Sequence, residues 1–290
     1  MADQLQYQCI NPNPDISGIG IRINFYVTIL LAGIVPDTRH TTELLDGLYK
    51  SSVLYGFALV MTAVIQTLQG QLDLYHAVVV TQIVFSLNLF YIYALKRFFI
   101  SSGRDYRMRI FIKVQVFSTL TFTIWSLFVW IKDSDFGSQP ECNYLVKYVF
   151  FFVTVRATVG WLRILLIVSL SSVIFQFFLL AAIYKIWYAF ADAEQEGQYR
   201  GTEQEGRHRG TEQGDAHGPG AFGTVFTYIV TFISATSAVF GVAFVELIVQ
   251  RNSPIILPGE NAWGFGQIIA LILIFGSIID ILVAIRQRNE

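Results

Sequence analysis

Five ionisable residues stand inside stretches that are otherwise hydrocarbon: Arg22, Lys113, Lys185, Glu246 and Asp280. A charge at the centre of a bilayer-spanning helix costs about 2.5–3.5 kcal/mol on insertion scales, so such residues are candidates for contact with a ligand or ion. The competing explanations are structural, since long cations snorkel to the interface and a paired charge can simply fix helix register. Arg22 and Glu246 fall toward one end of their stretches, and Lys113, Lys185 and Asp280 toward the other. That depth permits an Arg22–Glu246 pair and a second pair of Asp280 with Lys113 or Lys185. Neutral polar residues extend the set. Asn24 lies on a Gly20, Asn24, Thr28, Ala32 stripe of period four, while Gln82 and Asn88 occupy the third apolar stretch. Such faces let helices approach and hydrogen-bond across a bundle, or line a polar pocket. The candidates for ligand or ion binding are therefore Arg22, Asn24, Gln82, Asn88, Glu246 and Asp280.

Signatures of catalysis are missing. Four histidines, His40, His76, His208 and His217, form no metal-ligand spacing, and no Gly-x-Ser-x-Gly elbow occurs. The last apolar stretch has no Lys to carry a retinal Schiff base. No catalytic residue, metal ligand or cofactor is expected, and the reading is non-enzymatic. Cys9 and Cys142 are the only two cysteines. A bridge between them and a pair of free thiols both remain open, because sequence does not give their separation.

Positioning these residues requires membrane helices. Of 290 residues, 54% are hydrophobic and 14% charged, against roughly a quarter charged in an ordinary soluble domain. The runs Ile19–Val35, Ser52–Leu68, Leu74–Leu95, Ile110–Ile131, Ile164–Phe190, Phe222–Val249 and Gly264–Ile285 approach or exceed the roughly 20 residues that cross hydrocarbon. Open strands are excluded from lipid because their backbone groups would stay unpaired. The expected class is all-α: a polytopic transmembrane bundle of seven spans. Trp130, Trp187 and Trp263 lie near span ends, where an amphipathic ring suits the headgroup region. Residues 144–163 are the awkward stretch. They are expected to form an amphipathic helix on the outer face, an interfacial segment over 144–160 that bends at Gly160. An additional crossing there, giving eight spans, is the alternative.

Sidedness follows from Lys and Arg. With the N-terminus outside, twelve fall in the cytoplasmic segments 36–50, 96–109, 191–221 and 286–290, against two in 1–18, 69–73, 132–143 and 250–263. The expected organisation is an extracytoplasmic tail (1–18), a membrane domain of five spans (19–190), a cytoplasmic loop (191–221), and two further spans with a short cytoplasmic tail (222–290). Residues 1–18 carry no Lys or Arg, so the first apolar stretch is expected to act as its own uncleaved signal. The loop repeats a nine-residue unit containing Glu-Gln, with almost no apolar residue, and is expected to be disordered. It and the basic 96–109 segment could dock a cytoplasmic protein. A net charge of −1 argues against nucleic acid, leaving the lipid bilayer as the expected partner.

Two runs carry a resemblance: Asn13-Pro-Asp-Ile-Ser-Gly-Ile-Gly-Ile-Arg22 near the N-terminus, and Trp263-Gly-Phe-Gly-Gln267 opening the last span. With Phe150 to Arg163 between them, the chain resembles a group of multi-pass fungal membrane proteins that have no established activity. The resemblance implies topology and no chemistry. Architecture points to a receptor or sensor in the plasma membrane or an endomembrane, with a small-solute transporter or channel as the alternative.

Overall fold

A computed structural model describes residues 8–35, 41–88, 106–150, 152–175 and 221–289. The repeat loop 191–220, the basic stretch 96–105, Trp187 and Lys185 lie outside the described residues, as does the side chain of Asp280. The helices are α1 (Pro14–Ser17), α2 (Ile19–Ile34), α3 (Thr42–Leu68), α4 (Leu74–Asn88), α5 (Tyr106–Ile131), α6 (Gly160–Phe175), α7 (Ala221–Asn252) and α8 (Phe265–Asn289). A hairpin of β1 (Lys147–Phe150) and β2 (Val153–Arg156) separates α5 from α6.

The bundle is mostly helical, and four windows are long and apolar enough to cross a membrane: Pro14–Ile34, Leu44–Leu68, Lys113–Ile131 and Thr231–Ile255. Their surfaces agree with that reading. Ile34, Ile124 and Phe232 are each more than 60% exposed, an arrangement that hydrocarbon favours and water penalises. By contrast α4 is buried on every side, from Leu74 to Leu87 with Phe85 as the exception. A helix apolar around its whole circumference belongs at the centre. Here α2, α3, α5 and α7 surround it.

Helix ends differ from the hydropathy boundaries. The second span was expected from Ser52, yet α3 begins at Thr42. Backbone hydrogen bonds, not hydropathy, limit a helix, so α3 extends through the polar turn containing Glu43, Asp46 and Lys50. Gly160, expected as a bend within a long helix, instead starts α6.

The larger correction concerns 144–160, which forms no amphipathic helix among its described residues. Pro140–Leu145 is a 3-10 turn, and β1 and β2 then pair antiparallel with Lys147 opposite Arg156 and Phe150 opposite Val153. The Val, Tyr, Phe and Thr of this run suit the pleated state. Among the described residues, 144–159 also forms no helix that could make an additional crossing. Each strand has four residues where a spanning strand needs about 9–11, and the Ala157 N–H donates to the Val146 carbonyl at 2.8 Å, so the segment returns to its start. Arg163 accordingly lies 3.4 Å from the buried Asp133 beside the hairpin, not at a tight turn on the opposite face. Trp130, near the end of its span, is fully buried edge-on against Tyr148 and so faces protein instead of lipid. Trp263 is 60% exposed.

Four connecting segments fuse into a cap layer at one end of the bundle. Cys9 and Cys142 are joined as a disulfide, and Ile10 pairs with Ile256 as a parallel bridge. The Asn11 N–H donates to Gln139 at 2.9 Å, and the Ser138 N–H to the Leu72 carbonyl at 3.1 Å. Two buried asparagines replace missing backbone partners. The Asn143 amide donates to the carbonyls of Asp133, Ser134 and Phe136. Asn252 accepts the Lys147 N–H and donates to its carbonyl, both at 2.8 Å, standing in for a neighbouring strand.

Candidate functional site

At the cap layer, two ionic clusters meet beside an open groove. The first begins in the first turn of α2. Arg22 donates from Nε to the Ser17 carbonyl (3.0 Å), from Nη1 to Glu246 Oε1 of α7 (2.5 Å), and from Nη2 to Asn261 Oδ1 (3.1 Å). Tyr26, one turn later, donates its hydroxyl to the same Glu246 oxygen. Spacing of four residues puts both donors on one face of α2, toward α7. The guanidinium fork suits this task because it serves three acceptors at fixed angles.

The second cluster forms at the start of α4. Asp73 caps the helix, its Oδ1 accepting the His76 N–H at 3.1 Å. Its Oδ2 lies 2.6 Å from His76 Nδ1, while Nε2 on the far side of the ring is 3.1 Å from Glu260 Oε1. Glu260 also accepts the Asn13 N–H (2.9 Å) and the Ser17 hydroxyl. Both ring nitrogens face carboxylate oxygens, so the ring can donate to both only when both nitrogens carry protons. His76 is fully buried and Asp73 nearly so. The result is a charged link from α4 through the 253–264 segment to the N-terminal tail.

A third contact interlocks the two runs that carried the resemblance. Gln267 accepts the Gly20 N–H at 2.8 Å and donates to the Ala262 carbonyl at 2.6 Å. A Cβ on Gly20 would stand 2.7 Å from the Gln267 Cβ, so only glycine admits this approach of α2 to α8. Reciprocally, the Gly266 N–H donates to Asp15 Oδ1 at 3.3 Å.

The groove encloses about 520 Å³ between α2 and the 253–262 segment, with Arg22, Ser253, Leu257, Glu260 and Asn261 in its walls. A ligand there would meet a cation, a carboxylate and a carboxamide. Ser17 donates its hydroxyl to the Glu260 carboxylate, which also engages His76 Nε2, so the hydroxyl, the carboxylate and the imidazole share one hydrogen-bonded cluster. Among the described residues, no three His, Cys, Asp or Glu side chains converge on a metal position.

The remaining sequence candidates are scattered. Asn24 is buried in α2, its Oδ1 accepting the Thr28 hydroxyl at 3.2 Å, and its Nδ2 has no partner among the described residues. Gln82 accepts the Tyr148 hydroxyl at 3.4 Å. Asn88 sits near the other end of α4, accepting from Gln115 (2.7 Å) and Thr119 (2.9 Å) beside a cavity of about 10 Å³, room for about one water. Asp280 lies on α8, and Lys113 is exposed. Sequence reasoning missed Asp73, His76 and Glu260. An Asp three residues before a His at a helix start was the available signal, while Glu260 had none.

No protein-family model matches the chain, and neither a curated protein nor a solved structure matches it.

Proposed function

We propose that the chain is a seven-span membrane protein, N-terminus outside and C-terminus in the cytoplasm, that acts as a non-enzymatic receptor or sensor for a small polar molecule. The groove carries this reading, because two of its wall residues also hold the helices. Arg22 joins α2 to α7, and Glu260 joins α4 to the tail. A ligand that draws either side chain away changes how those helices are held, and differential contact of that kind is what biases a conformational equilibrium. The cap layer gathers 8–18, 69–73, 132–159 and 253–264 at one end, which suits two crossings between each successive pair. Lys147, Arg156 and Arg163 raise the outer count to five against twelve, leaving the bias on the same side. The basic 96–109 segment and the 191–221 loop then face cytoplasmic partners.

Thermal shift of nanodisc-reconstituted protein against small anions, cations and zwitterions tests the groove. A binding solute should lose its shift in Asn261→Ala, whose side chain is exposed, while the basal midpoint holds. A transport reading draws on the buried Asn24, Gln82, Ser86 and Gln115. Solute flux into sealed proteoliposomes that ends with Glu246→Gln would replace the receptor reading with that one.

A further inference from the structure

We propose that the 147–156 hairpin is a phospholipid-binding finger, its cationic base on a lipid phosphate and its aromatic tip against the acyl chains of the same leaflet. Register supplies the first half of the argument. Lys147 is directly opposite Arg156, and both are exposed. Such cross-strand partners share a face with Cβ atoms about 4.5–5.5 Å apart, where like charges destabilise the pair. Neither cationic group has an ionic or hydrogen-bonding partner among the described residues. An anion held between them relieves the repulsion, and phosphate offers the oxygens for it.

Depth supplies the second half. The base is fixed to Asn252, the last residue of α7. The tip residue Phe152 packs on Phe244 at 5.2 Å and Phe240 at 5.8 Å between ring centroids. Those rings lie eight and twelve residues back along α7, about 12 and 18 Å at 1.5 Å per residue. The hairpin therefore descends α7 from the cap toward the middle of the bundle. The crossing window Thr231–Ile255 runs to the end of α7, so Asn252 stands where that helix leaves the hydrocarbon. The base of the hairpin lies at that boundary, and the tip beside Phe244 and Phe240 lies deeper, against the acyl chains. Phe152 (54%), Val153 (61%) and Phe240 (43%) are exposed together there. Phe152 also holds φ at +68°, a costly conformation for an aromatic residue, which aims its ring at α7.

Native mass spectrometry of delipidated protein, titrated with phosphatidylglycerol, phosphatidylcholine or inorganic phosphate, tests the assignment. Phosphatidylglycerol should stay bound to the parent, and Lys147→Gln with Arg156→Gln should weaken it by about tenfold to thirtyfold. Phe152→Ser should weaken both lipids, and inorganic phosphate should not displace them. Equal lipid retention by parent and double variant, or full competition by inorganic phosphate, overturns the proposal. An independent readout is a nitroxide at Phe152→Cys, with Ser138→Cys as the cap-layer control. Greater accessibility to oxygen than to a water-soluble nickel chelate is expected at position 152 alone, and the reverse preference there also overturns it.

Discussion

Arg22 is worth more to this protein as a junction than as a charge. Its side chain is 9% exposed and that of Glu246 is 32% exposed, so the pair is shielded without being fully desolvated. Glu246→Gln strands the guanidinium and should cost about 1–3 kcal/mol, below the value for a fully buried pair. The double variant Arg22→Gln with Glu246→Gln should lose clearly less than the two single losses added, because the stranded charge is then gone. Unfolding midpoints in nanodiscs read both quantities, and strict additivity would mean that the two side chains act separately. His76 calls for a different measurement. Replacing it with Ala leaves two carboxylates facing each other across a cavity, so Asp73 and Glu260 should move apart. Faster amide exchange at 13–18 and 256–264, with the hairpin unchanged, is the expected signature. Uniform acceleration across the bundle would argue for a general core defect instead.

Among the elements, glycines separate close helix approach from open space. Gly20→Ala forces α2 from α8 at Gln267 and should cost about 1–3 kcal/mol, as overpacking does. Gly160→Ala meets nothing within 4 Å at the start of α6 and should be neutral or slightly stabilising. The contrast between two identical substitutions is read directly from thermal midpoints. The hairpin makes a pH prediction through Tyr148, whose phenol burial pushes up to about 12. A group raised in the folded state contributes its stability fully below its unfolded value near 10, and loses it as pH climbs through about 12. Stability should therefore decline between about pH 10 and 12, and Tyr148→Phe should flatten part of that decline. An identical slope in the variant would remove Tyr148 from the explanation.

For the molecule as a whole, the disulfide ties the N-terminal tail to the cap layer across 133 residues. Closing a loop of that length contributes about 5 kcal/mol in the chain-entropy account, an upper bound here because helices retained in the bilayer already restrict the unfolded chain. Reduction should lower the unfolding midpoint and release the 8–18 segment from Gln139 and Ile256. Limited proteolysis at 8–18 before and after a membrane-permeant reductant checks this, and equal resistance in both states would show that the noncovalent lock suffices. That lock is extensive, since Glu260, Gly266 and the Ile10–Ile256 bridge all hold the same tail.

Helix placement was legible because hydrocarbon imposes a one-dimensional rule: an apolar run of sufficient length forms a helix, as in Ile110–Ile131 and Phe222–Val249. Arg22 and Glu246 could be matched for a related reason, since two opposite charges at one depth in a poor dielectric gain much by meeting. The 144–160 stretch eluded that rule. Its residues suit a strand as well as an amphipathic helix, and contact with Asn252 and α7 settled the choice. His76 and Glu260 lie 184 positions apart with no periodicity linking them. Only the folded chain, closing its tail and its 253–264 segment over the same helix end, gives each buried charge its partner.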